Sequence, residues 1–191
     1  MSTPSSTVSR RATALPPEQR RAAIVTAVRP LLIEHGEGVT IRQIAAAANV
    51  AEGTIFGVFA DKHELLTATV EAALDIEPFE RSVAEIDGGA PFERRLVLVT
   101  ELIQARIVDV WQVLLSIGPK HRERFAGPMA ESNALVELLS SEPERFRVDP
   151  TAAARMLRAL TLSLSHPMLV AKPATATEIV DMFLNGAGAR P

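Results

Sequence analysis

The chain has no cysteine, no long apolar run and almost no net charge, standing at −3 over 191 residues. Without cysteine there is no disulfide framework and no thiolate metal site, which fits a reducing cytosol. A secretory signal needs about seven or more consecutive apolar residues, and a membrane span about eighteen or more. The opening stretch, MSTPSSTVSRRATAL, is rich in Ser and Thr and offers neither. The expectation is therefore a cytoplasmic protein with no membrane partner. Catalytic patterns are missing too. None of the four histidines, His35, His63, His121 and His166, sits in H-E-x-x-H or another metal spacing. Ser163 and Ser165 lack a G-x-S-x-G elbow, and no Gly-rich phosphate loop follows a strand. Strand alternation, internal repeats and heptads are likewise not seen. These absences argue against an enzyme and predict no cofactor and no metal.

What is present is helix. The length suits one compact unit or two small coupled ones with a substantial core. The stretch from Thr40 to Leu66, TIRQIAAAANVAEGTIFGVFADKHELL, carries the densest local signals. Thr40 and Gln43 form a Thr-x-x-Gln capping box, and Ile44, Ala45 and Ala48 share one face of the helix it opens. Asn49 ends that helix, because Asn tolerates the left-handed backbone that glycine usually supplies. A second helix starts near Ala51 or Glu52, with Ile55, Phe56 and Phe59 as its apolar residues. Asp61-x-x-Glu64 is a further capping box that starts a third helix bearing Leu65, Leu66, Val70 and Leu74. Two short helices, a tight turn and small Ala45 at the crossing make a helix-turn-helix, whose second helix ordinarily enters the DNA major groove.

This segment resembles the DNA-binding domain of TetR-family transcriptional regulators. Ile44-Ala45, Val50, Gly53-Thr54-Ile55-Phe56, Phe59, Lys62 and Leu65 stand where that family has Ile-Ala, Val, Gly-Thr-Leu-Tyr, Phe, Lys and Leu. The motif covers roughly residues 17 to 66. Beyond it the chain matches in length, helical content and a last helix ending Val180-Asp181-Met182-Phe183-Leu184-Asn185-Gly186. The resemblance implies an all-α fold: an arm over 1–16, a three-helix DNA-binding domain over 17–66, and a helical ligand-binding and dimerisation domain over 67–191. It implies a sequence-specific regulator, acting as a repressor that a small-molecule effector releases. Its partners would be a second copy of the chain and a palindromic double-stranded operator, matching two-fold symmetry in both. The alternative is a helical interaction or ligand-binding protein that keeps the fold without binding an operator.

The DNA-facing candidates are Thr40, Arg42, Gln43, Glu52, Gly53, Thr54, Phe56, Gly57 and Lys62. Arg42 suits a phosphate or a guanine edge, Gly53 lets the backbone approach, and Thr54 sits where orphan amides attract phosphate. Lys62 matches the family's phosphate-contacting lysine. Several positions depart from the pattern. Phe56 replaces a tyrosine and keeps only apolar contact, Ala51 replaces a capping Ser or Thr at a cost of about 1 kcal/mol, and Asn49 replaces Gly. Glu52 either accepts from a cytosine amino group or stabilises its own helix start. The recognition helix has no Lys or Arg. Residues 1–66 hold seven basic and six acidic residues and the rest 13 and 17, so charge favours DNA binding only slightly. Arg10-Arg11 is either an arm that reaches DNA or a solvated tail.

The flanking chain reads as packing helices. Pro17 starts a helix with an inner stripe of Ile24, Ala27, Val28, Leu31 and Leu32, ended by Gly36. Phe92 to Ile117 is apolar on several sides and reads as one helix or two joined near Arg106. A polar segment over Gly118 to Phe125 follows, its His121-Arg122-Glu123-Arg124 a solvated turn. Further helices are predicted from about Pro128 to Leu139, Thr151 to Ser165 and Thr175 to Asn185, with a loop from Ser140 to Pro150. Candidate ligand-lining residues are Phe92, Trp111, Met129, Met156 and His166, any of which also serves as plain core.

Overall fold

The computed structural model describes residues 16–125 and 130–186, and among them it is all α, with no strand. The order is α1 (Pro17–His35), a 3-10 turn (Gly36–Gly38), α2 (Ile41–Ala47), α3 (Glu52–Phe56), α4 (Lys62–Leu74) and α5 (Glu77–Ala84). There follow α6 (Phe92–Leu115), α7 (Pro119–Arg124), α8 (Asn133–Ser140), a second 3-10 turn (Pro143–Arg145), α9 (Pro150–Ser165) and α10 (Ala176–Asn185). No helix among the described residues is long and apolar enough to cross a membrane.

Helix α1 forms although Pro30 lies inside it. An interior proline removes one backbone bond and costs roughly 3 kcal/mol. Ile24, Val28 and Leu32 on the opposite stripe are buried to within 1%, and each contributes about 1.5–3 kcal/mol. Burial outweighs the proline, and the helix runs on to Gly36. There the backbone takes φ +58, and the Gly36 N–H donates to the Leu32 carbonyl. A Cβ at Gly36 would stand 3.3 Å from the Ser116 carbonyl oxygen, so this turn is pressed against the far end of α6.

Two hydrophobic clusters organise the chain. One joins α1, α2, α3 and α4 through Ile24, Val28, Leu32, Ile44, Ile55, Phe59 and Leu65, and it includes Val113 and Ile117 from the end of α6. The other joins α5, α6, α8, α9 and α10 through Phe79, Leu96, Ile103, Leu135, Leu157 and Ile179. Of the two readings for Phe92 to Ile117, the single helix holds: α6 is unbroken for 24 residues. Arg106 marks no joint. Its Nη1 and Nη2 donate to the Asp75 and Leu74 carbonyls at 2.8 and 2.7 Å, capping the C-terminal end of α4. Burial first, and then the nearby Arg158, lower the Arg106 pKa from its ordinary value. Arg29 of α1 pairs with Asp109 of α6 along the same seam.

Two helix boundaries differ from expectation, and the 66/67 position lies within a helix. A boundary at 66/67 falls inside α4, where Leu65 to Val70 are six consecutive buried residues and the helix continues to Leu74. The segment from Gly118 to Phe125 is not simply a turn; Pro119 at the first helical position starts the short helix α7. The helix expected from Pro128 begins only at Asn133, because Ser132 is its cap, its hydroxyl accepting from the Leu135 N–H at 3.1 Å. The arm with Arg10 and Arg11, and Met129, lie outside the described residues.

Asn49 is the single non-glycine residue of positive φ among the described residues, at φ +52. An L-residue without a short polar side chain loses about 1–2 kcal/mol there. Replacing Asn49 with Ala should destabilise the fold by about 1 kcal/mol, whereas Asn49→Gly should stay within about 0.5 kcal/mol of the parent. Urea unfolding midpoints measure both, and equal stability for all three chains would refute the backbone argument.

Candidate nucleic-acid interface

Local chemistry sets the helix-turn-helix in place. The Thr40 hydroxyl accepts from the Gln43 N–H at 3.2 Å, and Gln43 Oε1 accepts from the Thr40 N–H at 2.8 Å and its hydroxyl at 2.7 Å. The capping box is complete, so the Thr40 hydroxyl and Gln43 carbonyl oxygen are committed to it. The Gln43 side-chain NH2 has no partner among the described residues. After the left-handed turn at Asn49, α3 starts at Ala51 with no side-chain cap, as the alanine requires. Glu52 is the acidic residue of its first turn, where the helix dipole favours it.

Helix α3 is only five residues long, and its side chains divide cleanly. Ile55 is 1% exposed, and Phe59, just beyond the helix, is 1% exposed. Phe56 does not pack with them: at 53% exposed it faces outward. Glu52, Gly53 and Gly57 share that exposed side, with Thr54 half-buried. A Cβ at Gly53 would meet nothing within 4 Å, so the fold does not demand glycine there. Gly57 is nearly as open, its nearest neighbours being the Thr54 and Gly53 carbonyls at 3.5 and 3.6 Å. Arg42 is exposed on α2 with no ion-pair or hydrogen-bond partner among the described residues.

The junction into α4 is lashed by residues that sequence reading missed. The Asp61 side chain accepts from the Glu64 N–H at 2.8 Å, as expected of a cap. Glu64 does not return the bond to Asp61; its Oε2 accepts from the Ala60 N–H at 2.7 Å. Glu64 Oε1 takes Arg21 at 3.1 Å, and Arg21 Nη1 also donates to the Val58 carbonyl at 3.3 Å. The Arg21 guanidinium lies 4.3 Å from the centre of the Phe59 ring, a cation–π contact. An arginine in α1 thus holds the end of the recognition helix, a role no local spacing announces. Lys62, half-buried, donates from Nζ to the Glu37 carbonyl at 2.5 Å.

Of the candidate effector residues among those described, Trp111 and His166 come together, while Phe92 and Met156 stand apart from them. Phe92 is buried near the start of α6, against Phe146 at 6.0 Å, with Arg95 and Arg145 over its ring. Trp111 lies nineteen residues along the same helix, about 28 Å away at 1.5 Å per residue. Its ring meets His166 edge-on at 4.3 Å, and its Nε1 is buried without a hydrogen-bond partner among the described residues. His166 is buried, its Nδ1 accepting from the Met168 N–H at 3.2 Å. Met156 is 54% exposed on α9. An open groove is bordered by Gln104, Val108, Gln112 and Ser165, and none of the candidates borders it. Residue type alone could not say which apolar side chains would share a chamber.

With this geometry in view, comparisons with known proteins bear on it directly. Residues 24–69 match the model of the family described as bacterial regulatory proteins, tetR family. No curated protein sequence matches the chain. Among solved structures, it is similar to Escherichia coli NemR in its reduced form, at 16% identity and a TM-score of 0.61, covering 87% of this chain and 96% of that one. It is similar to the TetR-like regulator LfrR of Mycobacterium smegmatis, solved with proflavine, at 22% identity and 0.56, covering 91% and 98%. The fatty acid degradation regulator FadR of Bacillus halodurans matches at 19% identity and 0.56, covering 94% and 100%. At these identities the structural likeness speaks for the fold.

The Ala60 N–H first, and then Arg21, hold the Glu64 carboxyl below its ordinary value of 4.5. A carboxyl whose folded pKa is depressed contributes stability above its unfolded value and loses it as pH falls through the folded one. Glu64→Gln should therefore be less stable than the parent at neutral pH, and the gap should close as pH drops below about 4.5. Denaturant titrations at stepped pH test this; a gap that stays constant into acid would show that the carboxylate charge is not involved.

Proposed function

Because residues 24–69 place the chain in the TetR family of bacterial regulatory proteins, as a DNA-binding transcriptional regulator, we propose that it is a homodimeric repressor released from a palindromic operator by a small-molecule effector. One observation carries the DNA-reading part. The outward face of α3 presents Gly53, Thr54, Phe56 and Gly57 on a base fixed by buried Ile55 and Phe59. That face has room for close backbone approach, one apolar ring for a thymine methyl, and a hydroxyl at a helix start. Arg42 and the Gln43 NH2 flank it from α2 as donors to phosphate or base edges. Thr40 contributes by capping, Glu52 by stabilising the start of α3, and Lys62 as a phosphate contact at the start of α4. Since α3 has no cation, affinity rests on these neighbours and on DNA shape.

The exposed face of α9 supports the dimer. Arg155, Met156, Ala159, Leu162 and Ser163 repeat at helical spacing and point away from the core, with Met156 and Leu162 as large apolar members. An exposed apolar stripe on α9 suits a two-fold contact with its own copy. The effector reading draws support from relatives: LfrR was solved with proflavine, and FadR is named for fatty acid degradation. In this chain the effector would act through a population shift, favouring a conformer whose two recognition helices no longer match the operator.

Purified protein should prefer the DNA upstream of its own gene over scrambled DNA at physiological salt. Lys62→Ala should weaken binding to every sequence and reduce the salt slope by about 1, while Thr54→Ala should weaken the specific complex. Equal, salt-labile binding to both fragments would instead support a helical interaction protein on the same fold. Met156→Asp, which removes an exposed side chain, should convert a dimer to a monomer in sedimentation while leaving the helical spectrum intact. A parent chain that sediments as a monomer would overturn the dimer.

A further inference from the structure

The residue that holds Lys62 reaches into both halves of the molecule. Glu37 lies in the 3-10 turn between α1 and α2, and its main-chain carbonyl accepts the Lys62 ammonium at 2.5 Å. Its side chain points the other way. Glu37 Oε1 accepts from the Gly118 N–H at 2.6 Å, at the cap position of α7. A Cβ on Gly118 would stand 3.1 Å from that oxygen, tight enough that the carboxylate would have to shift by a few tenths of an ångström. The corner carrying Gly118 is itself well fixed. Arg122 donates to the Leu114 and Ile117 carbonyls, both at 3.1 Å, and Arg124 pairs with Glu71 at 3.7 Å. Ile117 is 3% exposed in the core beneath the helix-turn-helix.

We infer that Glu37 is a positioning residue: its carboxylate, anchored on the α6–α7 corner, fixes the turn whose carbonyl holds the Lys62 ammonium beside the recognition helix. The inference rests on the reading of Lys62 as a phosphate contact. An ammonium has three N–H donors, so one bond to Glu37 leaves two for phosphate. Ordering the four-carbon stem beforehand lowers the entropy lost when DNA binds. The hold is also conditional. When Gly118 shifts, the bond that Glu37 Oε1 accepts from its N–H lengthens, and the constraint this bond places on the Lys62-holding turn weakens. A displacement at the end of α6 is thereby transmitted to the Lys62 ammonium through the Glu37 turn, besides any route along α4.

The tether can be measured without DNA. The chain has three lysines, at 62, 120 and 172, and exposed Lys172 serves as an internal reference for acetylation by limiting acetic anhydride, read by mass spectrometry. Glu37→Ala should raise Lys62 acetylation relative to Lys172 by about fivefold, the factor that corresponds to one net hydrogen bond. Glu37→Gln keeps an oxygen acceptor without the charge and should remain close to the parent. If Gln raises the ratio as much as Ala does, the effect is loss of charge and the tether is refuted; so too if neither changes it. Should Glu37→Ala fail to fold, Gly118→Pro removes the donating N–H at a position whose φ of −64 suits proline, and it should give the same rise.

A second arm uses mixed-sequence duplex DNA at low salt. Glu37→Ala should weaken binding in the parent background and add nothing in the Lys62→Ala background. Additive losses would overturn the inference. If Lys62→Ala leaves binding unchanged, the phosphate reading itself fails, while the acetylation ratio still decides whether Glu37 holds Lys62.

Discussion

One helix belongs to two cores. Helix α6 runs unbroken from Phe92 to Leu115, about 36 Å at 1.5 Å per residue. Its first part, with Leu96, Val99, Ile103 and Ile107, is packed in the distal cluster, and Val113 lies beneath the helix-turn-helix with Ile117 just past the helix end. Close-packed interiors transmit displacement instead of absorbing it. A rotation or slide of α6 cannot then be confined to one half of the chain. The polar ties at its middle, Arg29 to Asp109 and Arg106 to the α4 carbonyls, fall where the two clusters meet. They fix the register of α6 against α1 and α4 with directional contacts, where apolar packing alone would allow sliding.

That arrangement explains which features were legible in the sequence. Signals that act over three or four residues were readable: the Thr40–Gln43 box, the left-handed Asn49, and Gly36 closing α1. Each of these residues has one dominant use for its side chain or backbone, and the spacing names it. Helix α7 was missed because its apolar content is slight and its stability comes from contacts such as that of Glu37 with Gly118, eighty-one positions apart. The start of α8 was placed early for a related reason. Apolar periodicity suggests a helix but does not say where its first amide finds an acceptor, and here that acceptor is Ser132.

The candidate site was legible in outline and not in electrostatics. Counting charges by segment treats every arginine as free, yet Arg21 and Arg29 are both paired with carboxylates, on Glu64 and Asp109. The surface that would meet DNA is therefore less basic than the count implies, and Arg42 matters more. Effector residues were the least legible. Phe92, Trp111, Met156 and His166 are the types that line cavities, but type does not fix facing. On α9 the same helical period puts Leu157 inside and Met156 outside.

The weakness of the recognition helix follows from its length, and so does its dependence on the frame. Five residues make barely more than one turn, far below the length at which a helix is stable alone. Ala51 supplies no cap to compensate. What fixes α3 is tertiary: Ile55 and Phe59 beneath it, Arg21 on the Val58 carbonyl and Phe59 ring behind it, and the capped start of α4 after it. Every one of these supports lies outside the residues that would read a base. A helix held only by its frame has the orientation its frame gives it, and Arg21, Glu64 and the α6–α7 corner are parts of that frame. The contacts that orient α3 therefore run back through the α6–α7 corner to the distal core, so a change in packing there can alter the orientation of α3 without altering any residue on its exposed face.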